Sequence, residues 1–178
     1  MQPKSDRNIL HLLKKGDMYA LNEIWNNYAD DMLAYIISIG NSRTEAQDIL
    51  QDVFVTISRK HQSVGNTRKL RPYLFRMCRN HSINIIHKAK RRRLREQHFL
   101  TETPLDTTHE ENLEQDDVTF ETTRLALKKL PIKQSSVIAL KFWRKKTFAE
   151  IAEMLGISEN TVASRYRYGI LKLNNLLK

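Results

Sequence analysis

A single cysteine, Cys78, stands among 178 residues, so no internal disulfide can form and no cysteine zinc cluster can be assembled. It reads as a small packed residue rather than a reactive thiol. Five glycines and four prolines leave too little turn-forming material for a strand-rich sandwich or barrel. Helices are the leading expectation. The longest apolar stretch, residues 32–39, is broken by Ser38 and falls far short of the ~20 residues that span a bilayer. Residues 1–7 lack the apolar core and small-residue cleavage site of a secretory signal, so the protein is expected to be cytoplasmic, with no membrane insertion. The six histidines, at positions 11, 61, 81, 87, 98 and 109, include no pair at the i, i+4 spacing of a helical zinc site. With no glycine-rich phosphate loop and no carboxylate or histidine cluster, the expectation is no metal, no cofactor and no enzymatic activity.

Acidic residues are also missing where they would matter. From residue 68 to 95 there are eleven Lys or Arg and no acid, whereas from 96 to 121 there are nine acids and no Lys or Arg. From 122 to 178 twelve Lys or Arg face only Glu150, Glu153 and Glu159. Two basic bodies thus flank an acidic strap. The net charge of +10 predicts a polyanionic partner, most commonly a phosphate backbone. The strap, about residues 96–117, has little periodic apolar content and reads as a flexible linker. It is either a plain solvated tether or a competitor of DNA for one of the basic bodies.

What is present is helical periodicity. Leu21, Ile24, Trp25, Tyr28, Met32, Tyr35, Ile36 and Ile39 recur at spacings of three and four, which predicts one apolar stripe on a long helix over 17–39. Ser42 and Glu45 form a capping-box pair before Ala46, Ile49, Leu50, Val53 and Ile57, a helix running to about 60. Residues 61–69 are a loop by composition. Leu70, Leu74, Met77, His81 and Ile85 mark a further helix, and the cations that follow, through Arg95, suit its dipole. Leu125, Leu127 and Leu130 precede Pro131, placed for the first turn of another helix. Thr147 with Glu150 is a second capping-box pair, Gly156 ends the short helix behind it, and Ser158 caps the last one.

Residues 148–167 meet the requirements of a helix-turn-helix: a small residue where the helices cross, one that tolerates positive φ in the turn, and apolar anchors on both sides. Ala152, Gly156 and Val162 fill these roles, with Ile151, Leu155 and Ile157 in the angle. On the last helix Val162, Tyr166, Ile170, Leu173 and Leu177 share a buried stripe, which leaves Thr161, Ser164, Arg165, Tyr168 and Lys172 on a face suited to DNA. Arg165 can bond a guanine edge bidentately, Thr161 and Ser164 can reach bases or phosphate, and Lys172 suits the backbone. Arg144, Lys145 and Lys146 would meet phosphates in the same pose. In the other basic body Tyr73, Phe75, Arg76, Arg79 and Asn80 combine cations with rings, as single-stranded bases require. Core packing is the equally open reading for Tyr73 and Phe75.

These residues together resemble the extracytoplasmic-function group of sigma-70 family factors over nearly the whole chain. Residues 46–54, AQDILQDVF, are similar to the family's early domain 2 signature, which docks on the clamp helices of the largest polymerase subunit. Asp48, Gln51, Asp52 and Phe54 would carry that contact. Residues 70–80, LRPYLFRMCRN, resemble the promoter-melting helix, and the preceding loop would help to capture a flipped base, whose extrusion costs a few kcal/mol. The resemblance implies a minus-10 reader made of Asn66, Arg68, Lys69, Arg71, Tyr73, Arg76, Arg79, Asn80, Asn84 and Lys88. Residues 130–134, LPIKQ, and the helix-turn-helix resemble domain 4, which reads the minus-35 element and contacts the polymerase flap; Ser158, Asn160, Thr161, Ser164, Arg165, Arg167, Tyr168 and Lys172 would do the reading.

The expectation is therefore an all-α chain of two small helical domains, 1–95 and 118–178, joined by an acidic linker over 96–117. Its partners would be core RNA polymerase and promoter DNA, with an anti-sigma factor as a further partner that the resemblance allows. The rival reading is a one-component helix-turn-helix regulator that binds duplex DNA without polymerase.

Overall fold

Two of the turns announced by capping pairs form as expected. Ser42 N–H donates to Glu45 Oε2 at 2.8 Å while Glu45 N–H donates back to Ser42 Oγ at 3.2 Å, and Thr147 with Glu150 repeats the exchange at 2.7 and 3.2 Å. The computed structural model describes residues 5–99 and 115–176. They form α1 (Asp6–Lys14), α2 (Tyr19–Ser38), α3 (Arg43–Arg59), α4 (His61–Gly65), α5 (Leu70–Phe99), α6 (Gln115–Lys128), α7 (Ile132–Phe142), α8 (Phe148–Leu155) and α9 (Glu159–Leu176). Among the described residues there is no strand, and no helix is long and apolar enough to cross a membrane. Of the expected linker, residues 96–99 fall in α5 and 115–117 in α6, and 100–114 lie outside the described residues.

Helix α2 is the central element. Its stripe of Ile24, Tyr28, Met32, Tyr35 and Ile36 is buried as the periodicity predicts, each large aliphatic side chain contributing about 1.5–3 kcal/mol. Yet Asp31, Ala34, Ile37 and Ser38, which lie off that stripe, are buried as well. Only the stripe of Tyr19, Asn22, Trp25, Asn26 and Asp30 stays exposed; a helix buried over most of its surface needs several neighbours, and α2 has α1, α3 and α5 on some faces and α6 and α7 on others. The core is correspondingly continuous: Val137, Leu140, Ile151, Ala152, Met154 and Val162 of the C-terminal helices belong to the same cluster as Ile9, Ile24, Met32, Leu50, Val53 and Leu74. A smaller cluster of Leu127, Leu130, Ile138 and Ala139 joins α6 to α7 and α9.

Two expectations are corrected, and one open choice, at Phe75, is decided. Residues 61–65 form the short helix α4 instead of loop, because Val64 and Gly65 are buried against α1. A Cβ at Gly65 would sit 2.7 Å from the Lys14 backbone nitrogen, and His61 Nδ1 lies 2.9 Å from the Leu13 carbonyl. Tertiary burial overrides the turn-like composition here. Trp25 is 53% exposed although it lies at stripe spacing, since its ring packs sideways on Phe54, with centroids 5.2 Å apart. Phe75 is core, 1% exposed, with its ring edge-on to Tyr35 at 5.1 Å. Cys78 is buried and free; burial pushes its thiol well above the ordinary value, which keeps it protonated and inert.

Candidate nucleic-acid interface

The C-terminal site is built by the turn between α8 and α9. Gly156 takes φ 66°, ψ 38°, a left-handed conformation that costs glycine nothing, and Ile157 N–H returns to the Ala152 carbonyl at 3.0 Å. Ala152 and Val162 are buried at the crossing. Ser158 Oγ accepts from Thr161 N–H at 3.2 Å and lies 2.8 Å from Thr161 Oγ1, so this serine serves first as a cap. Behind the helix, Gly169 is buried against α7: a Cβ there would sit 2.6 Å from Ile138 Cδ1. Sequence reading missed this residue; a lone glycine inside an apolar stripe was the available signal.

With the back of α9 fixed, its 3.6-residue period turns Thr161, Ser164, Arg165, Tyr168 and Lys172 to one side. Asn160 and Arg167 lie on the adjoining flank. Asn160, Arg167, Tyr168 and Lys172 are exposed, whereas Thr161, Ser164 and Arg165 are half-buried. Arg167 lies over the Tyr168 ring, 5.3 Å from its centroid. Leu177, expected on the buried stripe, lies outside the described residues.

Helix α5 presents the second cationic face. Leu70, Leu74, Phe75, Cys78 and Ser82 are buried, so Arg76, Arg79, Asn80, Asn84 and Lys88 are exposed and Tyr73 is half-exposed. The Arg76 guanidinium lies 5.1 Å from the Tyr73 ring centroid. Asn66, Arg68 and Lys69 are exposed just before the helix. Arg71 does not join them. It donates to Tyr28 Oη at 3.2 Å and to Glu153 Oε2 at 2.8 Å, and Asp6 Oδ2 is 3.5 Å away. Tyr28 also donates to Asp6, and burial, with that bond second, raises its phenol to about 12. Tyr35 is likewise raised to about 12, by burial first; Arg79 and Arg165 lie close enough for their charges to oppose the rise.

A third surface lies between α2 and α3, a groove of about 380 Å³ lined by Trp25, Asp30, Leu33, Gln47, Asp48 and Gln51 among others. Asp48 and Gln51 thus line one groove together. Asp52 is exposed one turn on from Asp48 without lining the groove, and Phe54 is half-buried beneath Trp25. Trp25 and Asp30 join this surface without a signal in the sequence: the first has core-stripe spacing and the second belongs to no motif.

A capped helix-turn-helix with a polar outward face, and a second helix lined with cations and a ring, define a helical DNA-binding protein. The Sigma-70 region 2 family matches residues 24–92 and the Sigma-70, region 4 family matches residues 126–175. The chain is 26% identical over 162 residues to RNA polymerase sigma factor SigZ of Bacillus subtilis, covering 89% of this chain and 87% of that one. It is 28% identical over 179 residues to ECF RNA polymerase sigma factor SigW of the same organism, covering 93% of each. Two solved structures share the fold: CnrH in complex with the cytosolic domain of CnrY, with TM-score 0.67, 20% identity and 98% and 97% coverage, and RpoE in complex with the anti-sigma factor NepR from Bartonella quintana, with TM-score 0.59, 21% identity and 88% and 95% coverage. This chain belongs to the sigma-70 family of RNA polymerase sigma factors, within its extracytoplasmic-function group. It is a transcription initiation factor that works with core RNA polymerase on promoter DNA.

Proposed function

We propose that the three surfaces divide the work of initiation. The α2–α3 groove, through Asp48 and Gln51 with Asp52 and the Trp25–Phe54 pair beside it, takes the clamp helices of the largest polymerase subunit. The α9 face, through Asn160, Thr161, Ser164, Arg165, Arg167, Tyr168 and Lys172, reads minus-35 duplex, with Arg144, Lys145 and Lys146 on phosphates. Residues 66–69 and the outer face of α5, through Tyr73, Arg76, Arg79, Asn80, Asn84 and Lys88, hold the opened minus-10 strand. Residues 1–95 and 118–178 then act as two modules in the cytoplasm, the second also meeting the polymerase flap, and an anti-sigma protein, like the partner named for the Bartonella relative, is the natural inhibitor.

One observation carries this reading: Tyr73, a half-exposed ring in the acid-free run of α5, is paired with Arg76, while Phe75 close by is spent on the core. A stacking platform with a cation at its side is what a single strand requires. Run-off transcription by purified core enzyme on a promoter library tests it. The chain should impose a distinct set of start sites, and Tyr73→Ala should lower open-complex formation while sparing minus-35 binding. Unchanged start sites on adding the chain would sink the proposal.

A further inference from the structure

Several cations between the N-terminal and C-terminal helices are matched by carboxylates. Arg144 Nε donates to Asp31 Oδ1 at 2.7 Å and its Nη2 to Asp30 Oδ2 at 3.2 Å, and Lys146 Nζ lies 2.9 Å from Asp31 Oδ2. Arg71 holds Glu153 at 2.8 Å and Asp6 at 3.5 Å. Arg7, Arg68 and Lys69 differ. All three are exposed, and among the described residues none of them has a hydrogen bond or an ion pair.

These three side chains line one cleft of about 840 Å³, between the start of α5 and the α8–α9 turn. Its charged lining is Arg7, Arg68, Lys69 and Arg71 against Asp6 and Glu153, four cations and two carboxylates, which leaves a charge of +2. Both carboxylates are taken by Arg71, so the surplus falls on the three unmatched cations. Like charges gathered in a concave site focus the field there and draw in an anion. The rest of the wall is largely apolar, with Leu10 and Pro72 on one side and Ile157 on the other. A volume of this size lies within the about 300–1,000 Å³ of small-molecule sites.

We propose that this cleft binds a nucleoside triphosphate, with the phosphate chain on Arg7, Arg68 and Lys69 and the base and sugar against Leu10, Pro72 and Ile157. The lining selects this class. Three cations exceed what one carboxylate or one phosphate requires and match a chain of phosphates, whose oxygens a guanidinium can take two at a time. The apolar wall gives a bare inorganic ion nothing, whereas a ring laid on it leaves water. The bound molecule touches both ends of the chain, since the cations come from α1 and the segment before α5 and Ile157 from the turn before α9. Arg68 and Lys69 are also assigned above to the opened minus-10 strand, so on that reading nucleotide and strand compete for them.

The test uses the full chain, free in solution, with ATP as the probe and adenosine and inorganic triphosphate as its two parts. Titration calorimetry at fixed salt reads binding, and circular dichroism reads helix content. ATP should bind at one site, inorganic triphosphate more weakly, and adenosine more weakly still. Arg7→Gln and Lys69→Gln should each weaken ATP about tenfold or more, the loss of one charge-assisted bond, at unchanged helix content. Lys60→Gln, an equal change of charge at an exposed position outside the cleft, should leave the affinity as it was. No measurable ATP binding, or an affinity untouched by Arg7→Gln and Lys69→Gln, overturns the site. Equal affinity for ATP and inorganic triphosphate overturns the nucleotide as its ligand. A single-stranded minus-10 oligonucleotide should weaken ATP binding; if ATP binds as expected and the oligonucleotide has no effect, the shared use of Arg68 and Lys69 is overturned. The direct titration makes no use of DNA, so a failure of the cleft and a failure of the strand assignment are told apart.

Discussion

Single side chains set both the aim and the chemistry of the outward face of α9. If Arg165 makes one bidentate base contact, Arg165→Ala should cost about 1–3 kcal/mol of discrimination among minus-35 variants. Competition binding by the reconstituted holoenzyme measures this, and equal losses on every sequence would reassign the arginine to phosphate. Gly169 makes the opposite kind of contribution, through what it lacks. In an open helix Gly→Ala gains up to ~1 kcal/mol, but a Cβ 2.6 Å from Ile138 Cδ1 incurs an overpacking cost of about 1–3 kcal/mol. Gly169→Ala should therefore lower the melting temperature, and Ile138→Val, which removes the offending methyl, should turn the same change neutral or favourable. Lack of such rescue would mean that α9 is not held by this crossing.

At the scale of elements, the capping boxes and the turn glycine are the strongest local determinants. The Thr147 backbone N–H, followed by its hydroxyl, holds the Glu150 carboxyl below its ordinary value of 4.5. A depressed carboxylate stabilises the fold fully above that ordinary value and loses the contribution as pH falls through the lowered one. Thermal melts should thus show α8 weakening in acid, and Thr147→Ala should cost about 1 kcal/mol at neutral pH while flattening the acid limb. An identical pH profile in the variant would refute the box as its cause. These elements were legible because caps, periodicity and glycine act within a few residues. The same holds for α3, for α9 and for the burial of Leu70 and Leu74. Helix α4 was not legible, since Ser63, Gly65 and Asn66 read as loop until α1 is brought against them. Helix α1 carries no side-chain cap that would announce it, although Ile9 and Leu13 stand one turn apart and both are fully buried. Of the candidate site, the exposed α9 and α5 faces followed from periodicity, while the diversion of Arg71 to Asp6, Tyr28 and Glu153 is a product of packing that no spacing encodes.

At the scale of the whole molecule, the burial of the second half of α2 on faces beyond its predicted stripe is the main surprise. Ala34, Ile37 and Ser38 were small or apolar residues without an evident partner, and the C-terminal helices supply it. Polymerase docking is then the event that acts on the entire chain. Asp48→Lys should weaken association with core enzyme at unchanged helix content, measured by competition against the native chain; normal competition would move the docking surface away from the α2–α3 groove. Asp30 belongs to two borders at once, since it lines that groove and accepts from Arg144. A partner that engages this carboxylate from the groove withdraws an acceptor from the other side, and reciprocity makes a firmer grip on Arg144 weaken the partner by the same factor. Competition for one aspartate would make the supply of core enzyme a quantity that this chain senses before it ever meets a promoter.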